Sequence, residues 1–186
     1  MRLSKLSHQE RYRRPYFTTV GRLDALDRGV LHVGHRVLAA LGPKMLDLSR
    51  DRAAGAIPYL VTPEHTARAR ERLGAGPLLA PELKVVLDAD PSRARATARA
   101  YLATYLKLPN YTKNLLNLGF TDADVTGGGS DRLVDAVFAW SDEPTIRARV
   151  DAFHTAGADH VALQLVEDDM SRLPREGWRR LAALLA

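Results

Sequence analysis

The sequence predicts an α/β fold built on a parallel sheet, and three observations carry that prediction. Short apolar runs recur along the chain without the polar alternation of a strand that faces water on one side. A stretch of helical character separates each run from the next. Helix starts and stops are marked at regular places, by Gly42-Pro43, Thr62-Pro63, Asp90-Pro91 and Glu143-Pro144 at the starts and by Gly55 and Gly157 at the ends. A sheet of this kind is covered on at least one face and is either doubly wound or part of a barrel.

Taken in order, residues 37–41 read as a buried strand, and Gly42-Pro43 turns the chain into a helix that stops at Gly55. Residues 56–61 form the second strand, after which Thr62 caps a helix and Pro63 fills its first position. Residues 83–87 are the third strand, and Asp90-Pro91 opens a long helix in the same way. The rhythm then breaks. Pro109-Asn110-Tyr111, a short amphipathic piece to Gly119 and the flexible Gly127-Gly128-Gly129 read as an insertion. Ser130 caps a helix over 131–140, a further helix runs from Glu143 to Gly157, residues 160–166 are the fourth strand, and a closing helix spans about 174–185.

With 186 residues, 46% of them hydrophobic, the chain suffices for one domain with a sizeable core. It contains no apolar run of the ~20 residues a membrane helix needs, and no signal-peptide pattern, so a cytoplasmic protein is expected. The absence of cysteine removes disulfides, thiolate metal sites and a cysteine nucleophile. The net charge of +5 lies at one end: of 27 basic and 22 acidic residues, eight and three fall in residues 1–36, leaving 19 of each in the remainder. Residues 1–35 therefore read as a basic leader, poorly ordered or helical, ahead of a neutral body, and a nucleic-acid partner is not expected.

The most suggestive site is Leu41-Gly42-Pro43-Lys44. A glycine directly after a parallel strand lets the amides of the next helix N-terminus approach an anion, a phosphate-binding geometry; the same residues also serve as a plain strand-to-helix turn. The two common nucleotide fingerprints, G-x-G-x-x-G and the P-loop, are absent, and no G-x-S-x-G marks a seryl hydrolase. His8, His32, His35, His65, His154 and His160 show no metal-binding spacing, so no metal is expected; solvent or capping accounts for them. Asp168-Asp169 reads as an acidic helix start. Tyr101, Tyr105 and Leu108 have the spacing of a packed amphipathic face, with a substrate-lining wall as the competing role.

Several segments together resemble one family. Residues 36–46, from Arg36 through Gly42-Pro43-Lys44 to Leu46, then Gly55-Ala56 and Tyr59-Leu60-Val61-Thr62-Pro63-Glu64-His65-Thr66, are similar to the second half of luciferase-like oxidoreductases that use the deazaflavin coenzyme F420. Leu108-Pro109-Asn110-Tyr111, residues 128–136 and Ala156-Gly157-Ala158-Asp159-His160-Val161 follow in the family's order, and the likeness covers about residues 36–180. It implies a partial (β/α)8 TIM barrel, the four strands corresponding to the fifth to eighth, with a helical insertion after the third strand of this chain. It also implies a barrel half over 36–186, hydride transfer with coenzyme F420 or, alternatively, FMN, and a cofactor-phosphate turn at Gly42, Pro43 and Lys44. Asn110 and Tyr111 correspond to the family's substrate side. A complete barrel needs ~250 residues. The groups that meet the reacting ring belong to the unmatched half, so no catalytic residue is named. The competing expectation is a non-catalytic half-barrel module that pairs with itself or with a complementary chain, because open strand edges seek partners.

Overall fold

The computed structural model describes residues 15–29 and 31–185. Helix α1 (Pro15–Asp27) and a 3-10 turn (Val33–His35) lead into β1 (Val37–Leu38), α2 (Pro43–Arg52), β2 (Gly55–Ala56) and α3 (Pro63–Leu73). The chain continues through β3 (Leu78–Leu79), β4 (Glu82–Val86), α4 (Pro91–Tyr105), α5 (Pro109–Asn117), α6 (Asp131–Val137) and β5 (Phe138–Trp140). It ends with α7 (Glu143–Thr155), β6 (Ala162–Leu165) and α8 (Arg175–Leu185). Every strand pair is parallel, in two sheets ordered β1-β2-β3 and β5-β4-β6.

The two sheets meet on one stretch of backbone. β3 and β4 are separated only by Ala80-Pro81, and the ladder crosses that break: the Ala80 amide donates to Ala56, that of Glu82 to Pro58, and that of Ala162 to the Pro81 carbonyl. The parallel α/β reading therefore holds, with shorter strands than the sequence suggests and two strands it misses. Residues 56–61 do not stay extended because Leu60 takes a positive φ of 49°, an uncommon state for a branched side chain, and turns the chain toward α3. Residues 138–140, expected as the end of a helix, leave it to pair with β4, placing Phe138 beside Lys84 and Trp140 beside Val86. Pairing and burial outweigh the local helical pattern there.

Alternation along β4 divides the core. Val86 packs with Leu60, Leu102, Leu133 and Phe138 under α4 and α6, whereas Leu83 and Val85 pack with Ile146, Val150, Phe153 and Leu181 under α7 and α8. The β5-β4-β6 sheet thus carries helices on both faces. A third cluster, Ala40, Leu46, Ala56, Ala69, Leu73 and Leu79, sits between β1-β2-β3 and helices α2 and α3. Helix α1 is tied to this part: Leu23 is buried, and Asp24 and Asp27 pair with Arg52, Asp27 also with Arg36.

The helix caps read from the sequence at Thr62, Asp90 and Ser130 are made, and Asp142, which the sequence reading did not name, caps α7. The four accept from the amides of His65, Arg93, Leu133 and Thr145, an interaction that stabilises a helix start by ~1 kcal/mol. The triple glycine has a geometric cause: Gly127, Gly128 and Gly129 have φ of 59°, 87° and 104°, a region that favours glycine. Beside it, Asp124 accepts from Ser130, Thr121 and Arg132, which together lower its carboxyl pKa to about 2.

At Gly55 an added Cβ would overlap the Leu78 carbonyl and lie 2.6 Å from the Leu78 Cβ, so β2 and β3 pack backbone against backbone. Gly55→Ala is expected to cost about 3 kcal/mol of stability by forcing the strands apart. Gly76→Ala, with no atom within 4 Å of the new carbon, is the control; equal thermal midpoints for the two variants would contradict the close approach.

Candidate functional site

Because β1 and β2 are parallel neighbours, their carboxyl ends lie on the same edge, and the helices that follow begin there side by side. Gly42 is the N-cap of α2 with φ −94°, a conformation open to any residue, and a Cβ built on it would meet no atom within 4 Å. Packing does not require glycine at this position; the space beside the turn is free. The amides of Met45 and Leu46 both return to the Gly42 carbonyl at 3.0 Å, and Pro43 has no N–H. The amides of Gly42 and Lys44 therefore remain without a backbone partner among the described residues. They are the donors such a turn can offer an anion, supplemented by the partial positive charge of the helix start.

The turn opens on a cleft of about 520 Å³. Leu41, Pro43 and Leu46 form one wall, the face of α3 from His65 to Arg72 a second, and Asn114, Asn117 and Leu118 the third. Two arginines hold the walls in place. Arg72 binds both carboxylate oxygens of Asp47 at 2.7 and 2.6 Å and the Pro43 carbonyl at 3.1 Å, and Arg68 donates to the Asn117 carbonyl at 3.0 Å. Arg72 keeps the Asp47 carboxyl below its ordinary range. Arg72 is neutralised by Asp47, so among the lining side chains the charge of Arg68 stands against that of Glu71, and the helix starts supply the remaining positive potential.

His65 is the feature the sequence reading misplaces. Neither solvent nor capping accounts for its side chain, which is 5% exposed. Nε2 lies 2.8 Å from the Leu41 carbonyl, which can only accept, so Nε2 carries the proton. Burial, reinforced by the charge of Arg68, lowers the imidazole pKa against the opposing pull of the Leu41 carbonyl. Nδ1 is then a buried acceptor with no partner, and Asn114 Nδ2, across the same cleft, is a buried donor with none. A buried polar atom left unpaired costs ~1–3 kcal/mol. Two in one cleft indicate a polar ligand position.

Of the residues the sequence singles out as site residues, only Pro43 lines this cleft; Gly42 sits between the lining residues Leu41 and Pro43 without lining it, and Lys44, exposed, is no part of the lining either. Asn110 and Tyr111 do not line it. Asn110 is exposed, and the Tyr111 ring packs edge-on against Tyr105 at 5.0 Å. Tyr101 and Tyr105 pack on the core and also edge a second cleft of about 620 Å³ with Thr97, Glu167 and Met170. Asp168 and Asp169 are not at a helix start. Asp168 accepts from Thr97, and Asp169 closes a turn onto Ser171. Among the described residues no group of three or more His, Asp or Glu side chains could hold a metal ion.

A second polar group missed by the sequence reading is Lys84, 1% exposed in the middle of β4. Its ammonium pairs with Glu82, donates to Gln164 at 2.5 Å, and lies 5.2, 5.8 and 5.9 Å from the ring centres of Tyr101, Tyr59 and Tyr105. Burial lowers its pKa, and the Glu82 carboxylate opposes that shift. Tyr101 joins the network through Gln164 and Tyr105, and burial pushes its phenol well above the usual range. A lysine inside an otherwise apolar strand is the signal that could have revealed it.

Comparison with known proteins yields no matching family model and no matching curated protein. Solved structures do match. An F420-dependent secondary alcohol dehydrogenase in complex with an F420–acetone adduct aligns at TM-score 0.51 and 12% identity, over 73% of this chain and 44% of that one. The apo form of MsnO8 aligns at TM-score 0.50 and 14% identity, over 98% of this chain and 62% of that one. The likeness is one of fold, and the chain spans less than two thirds of the length of either protein.

Lys84→Ala is expected to lower stability by about 3–5 kcal/mol, because it strands Glu82 beside Gln164 and empties the tyrosine cage. The double variant Lys84→Met, Glu82→Gln should lose clearly less. A larger loss in the double variant by chemical denaturation would contradict the pairing.

Proposed function

We propose that this chain is the carboxyl-terminal part of a luciferase-like (β/α)-barrel oxidoreductase, with residues 36–186 as the barrel part and residues 1–35 as its leader. It exchanges hydride between coenzyme F420 and a small organic substrate in the cytoplasm, and the phosphate of the cofactor is held at Gly42, Pro43 and Lys44. The observation that carries this reading is the α2 start, where the Gly42 and Lys44 amides have no backbone partner and the adjoining cleft is lined by His65 and Asn114, whose Nδ1 and Nδ2 are unpaired. The fold likeness to an F420-dependent dehydrogenase supports the same cofactor class, with FMN as the alternative.

The residues present fit such a group. The missing Cβ of Gly42 leaves room for it, the amides of Gly42 and Lys44 would hold its phosphate, and Arg68 would add positive charge nearby. When bound, the deazaflavin ring supplies the hydride chemistry. This chain binds, orients and shields it, and the second cleft, with Asn110 and Tyr111 near its tyrosines, serves the substrate side. None of its side chains is assigned a proton-transfer role.

One observation favours a second reading, a non-catalytic module that pairs with itself or a complementary half barrel. Among the described residues β1 and β6 have no strand on their outer sides, and Val37, Leu173 and Trp178 remain exposed. A stable monomer in light scattering argues against that reading.

Fluorescence titration of the folded chain with F420 and with FMN tests the first. Saturable binding is expected, weakened at least about tenfold in Gly42→Trp, with the thermal midpoint of the variant measured beside it to verify folding. Binding of neither cofactor by the wild-type chain would overturn the proposal.

A further inference from the structure

We propose that His65 is the positioning residue of the Gly42 turn, holding through its Nε2–H the Leu41 carbonyl from which the turn departs. The inference rests on the reading of that turn as the cofactor-phosphate seat and adds a residue to it. Leu41 is the last residue before the α2 N-cap, so a displacement of its peptide carries the Gly42 and Lys44 amides with it. His65 is well anchored to resist such displacement: its backbone amide donates to the Thr62 cap at 3.3 Å, and the neighbouring Thr66 hydroxyl donates to the Thr62 carbonyl at 3.2 Å. The Leu60 turn, with φ 49°, brings this first turn of α3 against the end of β1.

Arg72 secures the other side of the turn through the Pro43 carbonyl, but from the last turn of α3 and with an exposed side chain. His65 is the buried support. The use of an imidazole here is informative, because filling the space would need only an apolar side chain. The imidazole makes a single hydrogen bond and leaves Nδ1 buried and unpaired. A group kept at that cost serves its bond to Leu41 and the ligand position beside it.

Substitutions separate this role from packing. The amide nitrogen of glutamine reaches the position of Nε2, whereas leucine fills the space without a donor. The probes are F420 and its phosphate-free deazaflavin riboside, titrated by fluorescence into wild type, His65→Gln and His65→Leu. The wild-type preference for the phosphate-bearing compound is expected to persist in His65→Gln and to shrink about tenfold in His65→Leu, with affinity for the phosphate-free compound unchanged. Equal preference in all three proteins, or equal loss in both variants, would overturn the proposal.

Amide hydrogen exchange without ligand provides an independent readout. Met45 and Leu46, which bond to the Gly42 carbonyl, should exchange faster in His65→Leu than in His65→Gln. If the wild type binds neither probe, the cofactor reading fails on its own, and the exchange comparison still decides the role of His65: a difference upholds it and equality overturns it.

Discussion

The backbone of residues 78–86 is the constraint on which the rest of the structure depends. Its first part pairs with β2 and its second with both β5 and β6, so the two small sheets share one ladder. None of these strands could stand alone: β1, β2 and β3 are two residues long, and a short isolated pair is marginal in water. Stability comes instead from covering helices and from the close contact at Gly55, where any side chain would separate the strands. With β2 fixed against β3 and β1 against β2, the carboxyl edge of the sheet is fixed as well, and the starts of α2 and α3 with it.

That edge explains why the cleft lies where it does. Parallel strands deliver successive helices to one side, so their positive ends converge without any special motif. The sequence then adds particular chemistry: a glycine that leaves space, a proline that fixes the first helical residue, and an imidazole that ties the second helix to the end of the first strand. Arg68 and Arg72 close the frame by bonding to backbone carbonyls of the opposing walls. Polar contacts thereby frame the rim of the cleft, and the unpaired His65 and Asn114 atoms are buried in its walls.

The sequence was most informative where local chemistry dominates. Thr62 and Asp90, each before a proline, cap their helices as read, and the Gly42 turn could be recognised because a strand, a glycine and a helix start follow in order. It was least informative where distant contacts decide. Phe138 to Trp140 look like the end of a helix until β4 pairs with them, and Leu60 looks like strand until its positive φ turns the chain. His65 and Lys84 were missed for the same reason. A histidine in a first helical turn has the pattern of an exposed residue, and only the fold shows that Leu41, 24 residues earlier, buries and binds it. Lys84 needed Gln164, 80 residues on, to show that its charge is held inside.

The central claim is that the anionic part of the ligand lies on the start of α2. Backbone and side-chain amide chemical shifts, followed during titration with F420, test it most directly. The largest changes are expected at the Gly42 and Lys44 amides, with the His65 ring and the Asn114 side-chain amide responding in step. Saturable changes confined to the cleft of Thr97, Tyr101 and Tyr105, with the Gly42 turn silent, would contradict it.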